Sequence, residues 1–541
     1  MYLFYLHILT FYLLIYLCPD NTDDVDWTAE PISLFASSSG TASSNFEDRL
    51  RATTRGRQGR SSVRGRGRSS VRGRGRQTDL DSDTLSDTEE RWHDSEEPDI
   101  VPIEPIFKPE RTPGPQVITS QDYSPLELFQ FFFSSDVCQT IIKNTNAYSA
   151  EHQNSTGRLK QEMCQKDLFS FLSVVLYMGL VKLPAVQDYW NGSRLFNFSF
   201  PASVMSCRRF KAISNALHIS DLKVDAENIK KRGTPDYDRL CKVKPLYVQL
   251  RDRCKSFFHP DQNISVDERI VASKARISLK QYHRDKPTKW GYKLFVLADS
   301  RLGYTWDFFI YEGKSPTTQN PQNKGLSYES VVALVNPNVL GTGYKLYVDN
   351  FYTSPMLFRD LLEKRIFACG TIRSNRIGFP QTTENKLPRK GPRGSIRWIR
   401  DDKLLFVEWK DTREVMMCSF FHSANGNQTV QRRVKTPDGQ WVEKTVPIPA
   451  AVSDYNKNMG GVDMSDALIG YYTVLRKTRK WYRSLFYHFV DIAVVNAFII
   501  QQQLAKMKQK KAKSQREFRE ALVSQLATTC TTCILCYTCS S

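Results

Sequence analysis

We expect an α/β protein, a mixed sheet faced by helices, preceded by an all-helical region and a long disordered tail. Three observations carry this. Hydrophobic residues make up 40% and aromatics 12% of 541 residues, enough for a sizeable core and more than one domain. Apolar residues recur at helical spacing between 120 and 262 and at strand spacing beyond 263. Residues 18–119 are charged and rich in Arg, Gly and Pro, a composition that cannot bury a core.

Residues 1–17, MYLFYLHILTFYLLIYL, form an apolar leader. No Lys or Arg precedes Arg49, and Cys18-Pro19-Asp20 is no small-residue cleavage site, so we read a misassigned start rather than a secretory signal. No apolar run reaches the roughly 18 residues of a membrane helix, and no membrane partner is expected. Residues 18–119 form the tail. RSSVRGRG repeats at Arg60–Gly67 and Arg68–Gly75, an acidic block covers Asp79–Glu104, and Pro102–Pro115 closes the linker. Arg-Gly runs suit nucleic acid contact or nuclear import, so we expect a nuclear protein. The first 110 residues sum to −6, so the other 431 hold +25 of the overall +19. The surplus lies where the chain folds and points to a polyanion, most simply nucleic acid. A basic surface kept for solubility is the alternative. Twelve Cys are too sparse for a disulfide scaffold and suggest a reducing compartment.

Residues 120–262 read as a helical DNA-binding or dimerisation domain. Ser124-Pro125 is an N-cap and N1 pair, and Leu126, Phe129, Phe133, Val137 and Ile141 follow at helical spacing. DLFSFLSVVLYMGLVKLP, SVMSCRRFKAISNALHIS and YVQLRDRCKSFF continue the pattern. His152, His218 and His259 lack metal-ligand spacing and read as surface or core residues.

Residues 263–376 change period. NISVDERI, YKLFVLAD and YTWDFFIYEG read as strands, the last two joined by a turn. SYESVVALVNPNVL is helical, KLYVDNFYTS a strand ending at Asp349, PMLFRDLLEKR a helix and RIFACGTIRS a strand. This order suggests a mixed sheet with helices on its faces. Residues 377–455 are dense in strand signals, with a turn at Pro437-Asp438-Gly439, and read as a β-rich insertion. Helical pattern returns over 456–505, where Asp463 and Asp466 share one helix face.

Carboxylates converging from separate elements can hold hard divalent ions for phosphoryl transfer. Asp267, Asp349 and Asp463 fit that arrangement. By pattern alone Asp299, also at a strand end, ranks equal with Asp267. Lys286, Lys289 and Trp290, and Arg476, Lys477, Arg479, Lys480 and Arg483 around Trp481 and Tyr482, mix cations with aromatics as DNA-contacting segments do. A solvated helix face over core aromatics is the alternative.

SVDERI, KPTKWGYKLFVLAD, KLYVDNFYTSPML, GTIRSNR, YNKNMGGVDMSDAL and YYTVLRKTRKWYRSLFYHFVDIAVVNAFI occur in one order over about 70% of the chain, with LYMGLVKLPAVQDYW and YDRLCKVKPL upstream. In these motifs the chain resembles a piggyBac-type transposase. The resemblance implies an RNase H-like catalytic core, first part 263–376 and second part 456–505, interrupted by the 377–455 insertion. It implies cut-and-paste DNA transposition at TTAA sites with Mg²⁺ or Mn²⁺, on a homodimer. It places the catalytic, metal-holding acids at Asp267, Asp349 and Asp463, with Asp466 as a further catalytic acid. A descendant that binds DNA without cutting is the alternative.

Residues 506–541 depart from the family. A basic helix over Lys506–Arg519 leads to Cys530, Cys533, Cys536 and Cys539. Four thiolates could hold one tetrahedral Zn²⁺. No His follows and no hairpin separates two ligand pairs, which argues for free cysteines in a truncated module.

Overall fold

The computed structural model describes residues 91–528, except 101, 153–158, 194–195, 285, 314–323, 390, 425, 437 and 479. The apolar leader, the Arg-Gly repeat, the turn residue Pro437, Arg479 and the cysteine run 530–539 lie outside these residues.

The chain starts the expected helical region at α1 (Pro125–Gln130). The Ser124 hydroxyl accepts from the Glu127 N–H at 3.2 Å and the Glu127 carboxylate accepts from the Ser124 N–H at 2.7 Å, a reciprocal cap. Next come α2 (Ser135–Glu151), α3 (Gln165–Leu180), α4 (Ser199–Val204), α5 (Cys207–Ala216), α6 (Leu222–Lys230) and α7 (Lys244–Phe257).

A ten-stranded mixed sheet is the centre of the molecule. Its strands are β1 (His93–Asp94), β2 (Asn263–Ala272), β3 (Lys280–Tyr282), β4 (Trp290–Asp299), β5 (Thr305–Ile310), β6 (Lys345–Val348), β7 (Phe367–Thr371), β8 (Ile396–Asp401), β9 (Leu404–Lys410) and β10 (Glu414–Ser419). The order is β1-β8-β9-β10-β7-β6-β2-β4-β3, with β5 also on β4. Only β2/β6 and β6/β7 are parallel; every other pair in the sheet is antiparallel. The parallel connections run through α8 (Leu326–Leu334) with α9 (Pro337–Leu340), and through α10 (Pro355–Glu363). Thus the order read from sequence holds: three antiparallel strands, helix, strand, helix, strand.

Residues 377–455 are rich in strands, and of these β8, β9 and β10 extend the central sheet beyond β7. Among the described residues of this segment, the ribbon β11 (Thr429–Lys435) and β12 (Trp441–Pro447) stands apart as its own sheet. The cause is an unbroken ladder, Cys369 to Thr371 pairing with Ser419 to Met417.

The linker is not free. Trp92 is buried, and its indole N–H donates to the Thr382 carbonyl at 3.1 Å. His93 and Asp94 pair with Trp398 and Arg397 on the sheet edge. The Asp99 carboxylate accepts from Arg400 at 2.7 and 2.5 Å. Buried aromatic surface and a paired charge order a segment whose composition alone read as disordered.

The C-terminal helices close the helical layer. After α11 (Ala450–Asn458) and α12 (Gly461–Tyr471) comes α13 (Trp481–Met507), then α14 (Gln515–Thr528). The basic run 508–514 links the last two helices and is not itself helical, against the expected Lys506–Arg519 helix. Phe518, Leu522 and Leu526 of α14 are fully buried, and the Ser173 hydroxyl of α3 donates to Val523 O at 2.7 Å. One apolar core runs from Leu128 through the sheet to Leu526, so the helical region shares the core of the sheet. α13 is long and apolar enough to cross a membrane, but 94% of its most apolar window is buried inside the protein.

Candidate active site

β2 and β6 run parallel in register, Asn263 opposite Lys345 through Val266 opposite Val348. One step further along each strand stand Asp267 and Asp349. Neighbouring strands lie about 4.8 Å apart, so the two residues stand side by side, Asp349 just past the end of β6 and Asp267 midway along β2 rather than at a strand end. Asp349 begins a tight turn: its carboxylate accepts from the Phe351 N–H at 2.9 Å, and its carbonyl accepts the Thr353 hydroxyl at 2.9 Å. Gly370 on β7 lets that turn pack close, because a Cβ there would stand 2.3 Å from the Thr353 hydroxyl oxygen. Arg373 and Arg376, from GTIRSNR, hold the turn from outside, donating to Asn350 Oδ1 at 2.8 Å and to Phe351 O at 2.9 Å.

The third acid comes from α12. At its first residue, Gly461, a Cβ would meet Ser265 Oγ at 2.6 Å and Asp299 O at 2.8 Å. Glycine therefore seats the helix directly on β2 and the end of β4. Asp463 and Asp466 then face the strand face that carries Ser265, Asp267 and Arg269.

The aspartates act on one another through their charges. Burial pushes Asp267 well above the usual carboxylate range, and Asp349, Asp463 and Glu268 push the same way. Asp349 is raised by burial and Glu268, and Asp463 by burial and Asp466. Burial also raises Asp466, against the pull of Arg269. Lys286 opposes the rise at all four aspartates, so its ammonium lies in their field. Sequence reading assigned Lys286 to DNA; its charge also acts on the acids.

Asp299, ranked level with Asp267 by pattern, separates from it. It pairs with Ile264, three strand residues and about 10 Å back from Asp267. Its buried carboxylate accepts from the N–H groups of Asp261 at 2.9 Å, Arg301 at 3.0 Å and Leu302 at 2.8 Å. It fixes a turn and has no part in the acid group.

The predicted DNA-contacting residues divide. Trp290 is 48% exposed, with the Lys280 ammonium 4.7 Å above its ring. Lys289, Lys477 and Lys480 are exposed. Arg483 is buried instead, donating to Leu217 O at 3.3 Å, and Tyr482 beside it is buried too. Arg476 packs between Phe210 and Tyr487, its guanidinium 5.6 and 5.5 Å from their rings. These two arginines anchor α13 to the helical layer and correct the expectation of a wholly DNA-facing cluster. His218 and His259 are buried and hydrogen-bonded, as core residues.

Sequence reasoning missed Arg269, Glu268 and Tyr352. Glu268 pairs with Lys293 at 2.6 Å. Tyr352 has a buried hydroxyl without a hydrogen-bond partner among the described residues, in the field of Glu268, Asp267 and Asp349. Alternation in SVDERI would have placed Arg269 on the face of Asp267.

The acids raise one another's pKa, yet among the described residues no three His, Cys, Asp or Glu are gathered tightly enough to enclose a metal ion. The donor chemistry nevertheless suits a hard divalent cation: oxygen ligands on rigid elements, with negative charge in excess and an unpartnered hydroxyl beside them.

A family model described as Transposase IS4 matches residues 124–498. The chain is 26% identical over 383 residues to PiggyBac transposable element-derived protein 3 of Homo sapiens, covering 69% of this chain and 60% of that protein. To PiggyBac transposable element-derived protein 2 of Homo sapiens it is 25% identical over 388 residues, covering 70% and 62%. The chain thus spans about three fifths of the length of these relatives. A piggyBac transposase, solved by cryo-EM as a synaptic complex with hairpin DNA, superposes with a TM-score of 0.65 at 24% identity, covering 79% of this chain and 84% of that one. That likeness establishes a shared fold.

Proposed function

The chain belongs to the Transposase IS4 family, in its piggyBac-type branch, and from that premise we propose that it is a metal-dependent DNA transposase. Its reaction is cut-and-paste excision and integration at TTAA sites, carried out in the nucleus by a homodimer on double-stranded DNA. The observation that carries this reading is the parallel β2/β6 ladder, which sets Asp267 beside Asp349, with the Asp463 charge acting on Asp267 from the start of α12. The strand order β5-β4-β2-β6-β7, with parallel pairs only around β6, supports an RNase H-like core.

Asp267, Asp349 and Asp463 would hold Mg²⁺ or Mn²⁺. Such an ion, when bound, supplies Lewis acidity to the scissile phosphate and activates the attacking hydroxyl. The chain's own residues do the rest. β2 and β6 fix the spacing of the first two acids, and the Arg373–Arg376 loop holds the Asp349 turn in place. Lys286 balances the charge of the carboxylates. Exposed Lys289, Lys477 and Lys480 offer phosphate contacts, and Trp290 a ring for an unpaired base.

The test is an excision assay in cells, with the DNA flanking this gene as candidate ends and wild type beside Asp267→Asn. Excision that restores TTAA and is lost in the variant supports the reading. Excision that survives Asp267→Asn sinks the site assignment. A second reading, DNA binding without cutting, is favoured by the lack of a pre-gathered three-ligand group among the described residues. It predicts salt-sensitive DNA binding, equal in wild type and Asp267→Asn, and no excision by either.

A further inference from the structure

Asp267 and Arg269 lie two apart on β2 and so share one face, while Asp463 and Asp466 lie three apart on α12 and share one side. The strand rises about 6.8 Å over two residues and the helix about 4.5 Å over three, a difference that a long arginine spans. Gly461 against Ser265 sets the start of this contact. Two rungs therefore connect strand and helix. The first, Asp267 with Asp463, is repulsive in the absence of a cation. The second, Arg269 with Asp466, is an ion pair.

Arg269 is built in, with a side chain only 2% exposed. Beyond Asp466 its guanidinium donates to the Ser465 hydroxyl at 2.8 Å and to the Thr305 hydroxyl at 3.3 Å. Asn496 of α13 grips the backbone of Thr305 on both sides: the Thr305 N–H donates to its Oδ1 at 3.1 Å, and its Nδ2 donates to Thr305 O at 2.9 Å. The guanidinium thus joins β2, β5 and α12, and through Thr305 reaches α13.

We propose that Arg269 is a positioning residue of the acid site, and that Asp466 acts through it rather than as a metal ligand: their ion pair holds α12 where Asp463 can share a cation with Asp267. The inference rests on the metal-dependent reading above and adds a division of labour among its four aspartates. A planar fork with three polar partners is a task that lysine, with its charge but no fork, fills only in part.

The test uses the full chain and Mn²⁺ alone as probe. Titration calorimetry is run on wild type, Arg269→Gln, Asp466→Asn and the double variant, at a temperature where circular dichroism shows each folded. Each single change is expected to weaken Mn²⁺ binding about tenfold, as loss of a ligand-orienting partner does, and the double variant no further. Cleavage by Arg269→Gln should recover at high Mn²⁺, raising the half-saturating metal concentration more than it lowers the limiting rate. Arg269→Lys, the reserve should Arg269→Gln not fold, should restore part of the affinity. Unchanged Mn²⁺ affinity in a folded variant overturns the proposal, as does a double variant whose losses add. No cleavage by any form, with the affinity pattern intact, counts against the transposase reading and leaves the two rungs standing.

Discussion

His259 is fully buried, and its Nε2 meets Leu340 O at 3.0 Å, which places the proton there for a neutral ring. Burial, with the Arg111 charge beside it, pushes its pKa down to about 4. The unfolded chain would protonate this ring near 6.5. Between those values the unfolded state binds the extra proton, so this group's contribution is complete above about 6.5 and shrinks as pH falls. It should cost about 1.4 kcal/mol per pH unit in that window. His259→Gln should be less stable at pH 7.5 yet lose less on moving to pH 5.5. Urea unfolding at both values checks this, and equal losses would refute it. Asp267 has the opposite sign. Its pKa is raised, so its charged form burdens the fold at neutral pH. Without metal, Asp267→Asn should raise the Tm by about 2 °C at pH 7.5, read by thermal shift, and a lowered Tm would contradict the crowding of acids.

Among the elements, α12 converts sequence into site geometry. Its two leading glycines differ: a Cβ at Gly461 collides with β2 and the end of β4, and a Cβ at Gly460 meets nothing within 4 Å. Gly461→Ala should therefore cost about 1–3 kcal/mol and abolish excision by moving Asp463, while Gly460→Ala should leave both unchanged. Thermal melts with the excision assay read the pair, and matching effects would mean that close approach is not what the second glycine provides. The contrast also bounds what could be read beforehand. The core strands and the aspartates they carry were legible because alternation, apolar runs and motif order are local signals. Asp299 could not be told from Asp267, because only cross-strand register separates the turn-fixing acid that ends β4 from the acid that stands midway along β2 beside Asp349. Arg476 and Arg483 looked like solvent cations, because whether an arginine faces water depends on the helices packed over it. Nor could local pattern show β8 to β10 joining the central sheet, since that depends on pairing across the gap between residues 371 and 414.

In the whole molecule, the long sheet needs its outer edge covered, because an open edge strand invites pairing with other chains. Residues 91–100 do this on β8. Trp92 fills a pocket under the Arg397 guanidinium, 4.2 Å from its ring centre, and His93 stacks on Trp398 at 4.4 Å. Asp99 neutralises Arg400, whose side chain is 6% exposed. The strap is thus tied at two points seven residues apart, by apolar burial at one and charge at the other. Removing the charge leaves a buried guanidinium without its counter-ion, a loss of about 3–5 kcal/mol, whereas a surface ion pair contributes at most about 1. Asp99→Asn should therefore lower the Tm by several degrees and open residues 91–100 to limited proteolysis before the rest of the chain. Trp92→Ala should release the same segment. Since the acid group is carried by β2, β6 and α12, away from β8 in strand order, Mn²⁺ affinity in the cold should match wild type in both variants. A strap that stays protease-resistant after both changes would mean that the edge is held by the two-residue β1 pairing alone, too short a ladder to close a ten-stranded sheet.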